Sequence, residues 1–236
     1  MNEPFATDER ALRMEALYHD RLVPCYAHRP AHLDAMFRAS VQRRAQALAL
    51  EEGAYSLTYA QLDAQVGRLA AGWAARGIGR GDRVALLLGN RMDFVVALLS
   101  LWRLGAIVVP IGIRQSAAEL EYMLGQCGAC ALVFEGSLAD RLPRPDRIPG
   151  VRLFVHCLDA DESPSVLQAA ELSSVALADI ACEPALADCH GDFSDQSPAC
   201  IMYTSGTTGH PKGAVLSHLG FFHTARHYIH RFGYRP

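Results

Sequence analysis

No stretch of this 236-residue chain builds a field of one charge. Lysine and arginine number 22 against 25 aspartates and glutamates, the formal net charge is −3, and no block of like charge occurs. That excludes the basic surface with which a protein holds nucleic acid or an anionic membrane by charge alone. A small anionic ligand must then be held by local geometry. Cysteine is present but unsuited to a scaffold. The seven residues Cys25, Cys127, Cys130, Cys157, Cys182, Cys189 and Cys200 are odd in number and scattered, which argues against a disulfide framework and fits a reducing cytoplasm. The first ten residues, MNEPFATDER, contain no apolar core of a signal peptide. Nor is there a membrane-length apolar run. The longest stretch, FVVALLSLWRLGAIVVP at 94–110, is broken by Arg103 and Gly105 and closed by Pro110, short of the ~20 residues a span needs. No internal repeat is found. The chain reads as soluble and cytoplasmic.

What is present is an ordinary globular composition, 50% hydrophobic and 20% charged. A chain of this length buries roughly 70–75% of its unfolded surface. Helix-like spacing is read over 8–21, through Leu12 and Leu17, and over 31–47, through Leu33, Met36, Phe37 and Val41. The link PCYAHRP, with Pro24 and Pro30, separates the two. ALALEEGAYSLTY predicts two strands turning at Glu52-Gly53. Thr58 then caps a helix over 59–76, with Leu62, Val66, Leu69, Ala70 and Trp73 on one face and Gly77, Gly79 and Gly81 as its stop.

From there strand and helix alternate. RVALLL at 83–88 is a continuous apolar run, as in a strand buried on both faces. A helix over 93–104, a strand at 106–110, a helix over 116–126 and strands at 131–135 and 152–156 follow. This alternation predicts an α/β fold, a doubly wound, largely parallel sheet with flanking helices. Residues 136–150 and 157–198 read mostly as loops, with a short helix near 165–178. ACIMYT at 199–204 returns as a strand, and Ser217 caps a helix from His218 to about Phe232.

The last strand runs into YTSGTTGHPKG at 203–213. Gly206, Gly209 and Gly213 lack a Cβ, so backbone N–H groups can approach a ligand and positive φ is open to them. Thr204, Ser205, Thr207 and Thr208 add short hydroxyls. Lys212 adds a compact positive charge, and Pro211 limits the loop's freedom. Together they form an anion cradle suited to phosphate. It is not a Walker A loop, since Lys212 stands between Pro211 and Gly213. Nor is it a nucleophile elbow, since Ser205 lacks the flanking glycines.

This segment resembles the phosphate-loop signature of the adenylate-forming (AMP-binding) superfamily of acyl-CoA synthetases, peptide-synthetase adenylation domains and luciferases. LTYAQL at 57–62, GDRVALLLGNRMDFVVALLSLWRLGAIVVPI at 81–111 and AAELEYMLGQCGACALVF at 117–134 are similar to further family motifs, so the resemblance covers roughly 31–230. It implies a ligase that activates a carboxylic acid, fatty or aromatic, with ATP and Mg²⁺ as acyl-AMP and then forms a thioester with coenzyme A. Carried over by position, Thr204, Ser205, Gly206, Thr207, Thr208, Gly209 and Lys212 bind the β- and γ-phosphates, with no catalytic or metal-binding residue assigned in this chain. The family's magnesium-holding Glu motif, its ribose-binding Asp and its C-terminal domain with the adenylation lysine find no match before Pro236.

The resemblance therefore implies the N-terminal part of an acyl-CoA synthetase, inactive as these 236 residues alone. Residues 1–58 would hold N-terminal helices and the hairpin, and 59–236 the α/β part. Two alternatives stay open: a truncated, non-catalytic nucleotide-binding or interaction module, and a peptide-synthetase adenylation domain. The identity of the acid and the oligomeric state are not specified.

Other constellations read as structural. Cys127-Gly-Ala-Cys130 has redox or zinc spacing but no second pair, and cysteine there packs as a small hydrophobe. His223, His227 and His230, at i, i+4 and i+7, could hold a metal but read better as a solvated helix face. His218 either edges the nucleotide site or packs at its helix start. Asp192 and Asp195 read as turn residues, and Trp73 and Trp102 as core.

Overall fold

The structure, a computed structural model, describes residues 11–17, 20–158, 172–181, 193–204 and 210–233. Four strands carry the expected parallel series, β5 Arg83–Leu87, β6 Ile107–Pro110, β7 Ala131–Glu135 and β8 Leu153–Cys157, and the two-residue β9 Val175–Ala176, which was not expected, adds a fifth. Their spatial order is β6-β5-β7-β8-β9, every neighbour parallel. The chain starts in the middle, steps to one side through β6, then crosses to the other through β7. That reversal is the doubly wound arrangement. β10 Pro198–Thr204 extends the sheet beside β6 in parallel, and β11 Lys212–Ser217 closes that edge antiparallel to β10.

The strands are apolar throughout because both faces are covered. Val84, Leu86, Val108, Val133 and Val155 join one core with Leu62, Val66, Leu69 and Trp73 of α2 Tyr59–Ala75, and with Val96 and Leu101 of α3 Met92–Arg103. Ala85, Leu87, Val109, Leu132 and Phe134 point the other way, against Leu120, Met123 and Leu124 of α4 Ala117–Cys127. Each large apolar side chain buried this way contributes about 1.5–3 kcal/mol. α1 Leu33–Arg44 adds Leu33 and Phe37 to the first core.

A buried charged contact ties three helices. Arg103 of α3 donates from Nε to Asp34 Oδ1 of α1 at 3.0 Å and from Nη2 to Asp63 Oδ1 of α2 at 2.6 Å. The arginine that interrupts the long apolar run therefore has a structural task, and removing one partner of such a pair costs about 3–5 kcal/mol. The hairpin of β3 Leu48–Glu52 and β4 Tyr55–Thr58 turns at Gly53. Thr58 and Gln61 then form a reciprocal capping box that starts α2. Both tryptophans are core. Trp73 Nε1 donates to Ser100 Oγ at 3.0 Å, and Trp102 Nε1 to the Ala199 carbonyl at 2.9 Å. Among the described residues, no helix is long and apolar enough to cross a membrane.

Two expectations need correction. The helix read over 8–21 is an antiparallel hairpin over its described part, β1 Leu12–Leu17 with β2 Arg21–Tyr26. Its leucines never formed one helical face: Leu12 and Leu22 are exposed while Leu17 is buried. Pro24 lies inside β2, opposite Met14, and not in a link. The short helix read near 165–178 falls mostly outside the described residues. Where the chain is described, Val175–Ala176 pairs with β8 and only Leu177–Ile180, here α5, is helical. The final helix, α6 His218–Phe232, starts at Ser217 as expected, with the Ser217 hydroxyl accepting from Gly220 N.

Candidate functional site

β10 and β11 are two arms of a hairpin whose connection is the glycine- and hydroxyl-rich segment. Their register pairs Met202 with Ala214, Tyr203 with Gly213 and Thr204 with Lys212. Thr204 and Lys212 therefore face each other at the mouth, both exposed, with Thr204 Oγ1 3.5 Å from the Lys212 carbonyl. Because β10 is parallel to β6, the mouth opens at the edge of the sheet where the carboxyl ends of β5, β6, β7 and β8 also lie. Ligands of doubly wound sheets bind along this edge. Ser205, Gly206, Thr207, Thr208 and Gly209 lie outside the described residues. The structure thus brings together Thr204 and Lys212 from the expected set.

The two arms are pinned by residues that the sequence reading passed over. The Tyr203 hydroxyl lies 3.0 Å from the Met123 carbonyl and also donates to Gln126 Oε1, fastening β10 to α4. Burial, with the Cys127 thiol alongside, raises the Tyr203 phenol above its ordinary value, so it stays a donor. On the other arm His210 stacks on Tyr122 of α4, ring centroids 4.6 Å apart at 20°. Gly213 was expected to serve ligand approach or positive φ, but it sits in extended β11 and packs tightly. A Cβ there would stand 2.9 Å from Ile201 Cγ2 and 3.2 Å from the Tyr203 ring. The alternating pattern of β10 carries the signal for Tyr203, since Ile201 and Tyr203 share the face turned to α4.

The remaining constellations resolve into packing. The Cys127 thiol lies 3.7 Å from the Leu124 carbonyl and that of Cys130 3.4 Å from the Arg83 carbonyl. Burial raises both thiols, which makes them poor nucleophiles. His218 is 1% exposed and its Nδ1 accepts from Leu33 N at 3.4 Å. Burial, then the neighbouring His32, push its imidazole down to about 4, so it is a neutral core residue. Of the three histidines read as a solvated face, His227 is exposed and His223 and His230 are half-buried. They surround the Tyr26 ring with centroids at 5.0, 5.9 and 6.0 Å. Among the described residues no group of three or more His, Cys, Asp or Glu could hold a metal ion. Asp195 does sit in a turn, where it also pairs with Arg29; Asp192 lies outside the described residues.

A doubly wound sheet with helices on both faces, whose strand β10 runs at the carboxyl edge into a segment of glycines, hydroxyls and one lysine, places this chain among the α/β proteins. The comparison with known families makes this specific: residues 37–236 match the family described as AMP-binding enzyme, and the chain belongs to it. It is 35% identical over 184 residues to the long-chain-fatty-acid–CoA ligase FadD13 of Mycobacterium tuberculosis, covering 77% of this chain and 33% of that protein. It is 33% identical over 177 residues to the feruloyl-CoA synthase of Amycolatopsis, covering 73% of this chain and 30% of that one. Among solved structures, apo MbtA of Mycobacterium smegmatis superposes with a TM-score of 0.69 at 31% identity, over 82% of this chain and 35% of that one. The chain spans about a third of the length of the curated relatives it matches.

Proposed function

We propose that this chain carries the nucleotide-phosphate site of an ATP-dependent acid–thiol ligase of the acyl-CoA synthetase branch. The reaction runs in two steps. A substrate carboxylate attacks the α-phosphorus of ATP, giving an acyl-adenylate and releasing pyrophosphate. The coenzyme A thiolate then attacks the acyl carbonyl, forming the thioester and expelling AMP. A carboxylate is a poor electrophile, and the first step gives it a competent leaving group. Thr204, Ser205, Gly206, Thr207, Thr208, Gly209 and Lys212 hold the β- and γ-phosphates, with Lys212 placed to offset charge that builds on the departing pyrophosphate. No general base is needed for attack, because the carboxylate is already ionised. Mg²⁺ bound with ATP would neutralise further phosphate charge. The described residues offer no ligand cluster for it, and no step is assigned through it.

The observation that carries this reading is the register that sets Thr204 opposite Lys212 at the mouth of the loop. Similarity to a fatty-acid ligase and a feruloyl-CoA synthase supports a fatty or aromatic acid as substrate. The five free cysteines among the described residues support a reducing, cytoplasmic setting. Calorimetric titration of the chain with pyrophosphate is expected to show binding that Lys212→Ala weakens by roughly ten- to a hundredfold, the loss of a charge-assisted contact. In the whole protein, ATP–pyrophosphate exchange is expected to depend on an added acid from a panel of fatty and aromatic carboxylates. Unchanged pyrophosphate binding by Lys212→Ala, or exchange indifferent to every acid, would overturn the proposal.

A further inference from the structure

The match to the family begins at residue 37, yet the segment before it is fastened to the turn that precedes β10 and to the helix that follows β11. Arg29, its side chain 9% exposed, is the knot. Its Nε donates to Asp195 Oδ2 at 2.5 Å, Nη1 and Nη2 donate to the two oxygens of Glu15 at 2.6 and 2.8 Å, and Nη1 also reaches the Tyr26 carbonyl at 2.9 Å. Glu15 belongs to β1, and Asp195 to the turn that leads into β10. The same turn anchors α6, because the Asp195 carbonyl accepts from Leu219 N at 2.7 Å and the Ser197 carbonyl from His218 N at 3.2 Å.

Tyr26, at the end of β2, docks directly on α6. Its backbone N–H donates to His223 Nε2 at 3.4 Å. Its ring meets Phe222, His227 and His230, and the Arg226 guanidinium lies 5.6 Å from the ring centroid. Leu17, Cys25 and Leu219 fill the apolar space beneath. The hairpin therefore grips the chain just before β10 and just after β11.

We propose that the N-terminal hairpin is a clasp with Arg29 as its positioning residue, holding the two arms of the phosphate loop in register, and that protonation of His223 opens it. The inference rests on the reading of the 204–212 connection as a phosphate site. The acid response follows from the groups that face His223. Tyr26 and Arg29 lie toward it from the N-terminal segment. Glu15 stands on β1 and Asp195 in the turn, both occupied by Arg29. Arg226, His227 and His230 come from its own helix. A proton on His223 removes the acceptor of the Tyr26 N–H and adds a cation near the Arg29 guanidinium. Burial, then the charge of Arg29, already hold this imidazole below its ordinary 6.5. A group depressed in the folded state contributes stability above its unfolded value and loses it as pH falls through the folded one. Glu15 is held down to about 2 by the Arg29 and Arg13 guanidinium groups, so it stays charged across that window. The release is then a property of His223.

The test is hydrogen exchange on the 236-residue chain, read by peptide mass. Arg29→Met is expected to speed exchange over residues 195–204 and 212–222 by about tenfold or more, the loss of a charged hydrogen-bonded contact, while β5 and β7 keep their protection. Arg29→Lys, which keeps the charge but not the fork, falls between. Glu15→Gln and Asp195→Asn report the same contact if Arg29→Met does not fold.

Trp102 lies 5.6 Å from Phe221 and 6.3 Å from His218 of α6, so its emission reports docking. In the wild type, emission is expected to change as pH falls below 6.5, with the midpoint displaced in His223→Gln. Exchange that is unchanged in all the variants, or that rises equally in every strand, overturns the clasp. So does an emission profile that His223→Gln leaves in place. The two readings fail separately. If pyrophosphate does not bind the wild type but Arg29→Met still loosens only 195–222, the phosphate reading falls and the clasp stands.

Discussion

Lys212 is the only lysine among the 22 basic side chains of this protein, and it closes a segment rich in glycine and hydroxyl residues. Arginine serves where a fixed fork is wanted, as at Arg29 and Arg103; a compact ammonium serves where the partner changes shape. That contrast was readable from residue types, and so was the strand that leads into the loop. What could not be read were the residues whose role depends on distant partners. Arg29 meets Asp195 across 166 positions, and His218 meets Leu33 across 185. His218 shows the consequence in stability. Its imidazole is depressed to about 4 by burial, so the protein is favoured above pH 6.5 and loses this contribution as pH falls toward 4. The loss is on the order of 2–3 kcal/mol. Urea denaturation at pH 7.5, 5.5 and 4.5 is expected to show that decline, and His218→Gln to flatten it. An equally steep decline in the variant would assign the pH dependence to other groups.

Elements were legible where local chemistry and tertiary packing agree. The capping boxes Thr58–Gln61 and Ser116–Glu119 start α2 and α4 at the positions their residue types indicate, and the apolar strands of the sheet fall where the continuous runs do. The N-terminal hairpin was misread because its pairing is stabilised by docking on α6, which no local pattern announces. Helix α2 also holds a close approach that only the structure reveals. Gly72 is crossed by α5, and a Cβ there would stand 1.5 Å from the Ile180 carbonyl oxygen. Gly72→Ala tests which effect dominates. Helix propensity favours alanine by about 1 kcal/mol, whereas forcing the crossing apart costs about 1–3 kcal/mol or more. The clash is with backbone, so the balance is expected to be destabilising. The checking measurement is a lowered urea midpoint with an unchanged slope; a raised midpoint would mean that α5 yields freely.

At the scale of the whole molecule, the site is built but open. Thr204, His210 and Lys212 are all exposed, and β11 is an edge strand, so the groups proposed to meet phosphate stand in water. A cation works on a developing charge far more strongly in a water-excluded, low-dielectric site than in solvent. The chain also spans about a third of its curated relatives' length. We therefore expect the 236-residue chain to bind pyrophosphate weakly and with strong salt dependence, since exposed charges are screened within ~10 Å at 0.1 M. We also expect it to give no acid-dependent ATP–pyrophosphate exchange above the uncatalysed background. Each electrostatic stabiliser missing from such a site removes about 2.7–4 kcal/mol from transition-state stabilisation, and absence of several is enough to erase turnover. Titration at 50 and 300 mM salt, beside the exchange assay on the same preparation, checks both halves. Salt-independent tight binding, or robust exchange by these residues alone, would show that the loop is enclosed and competent without further walls.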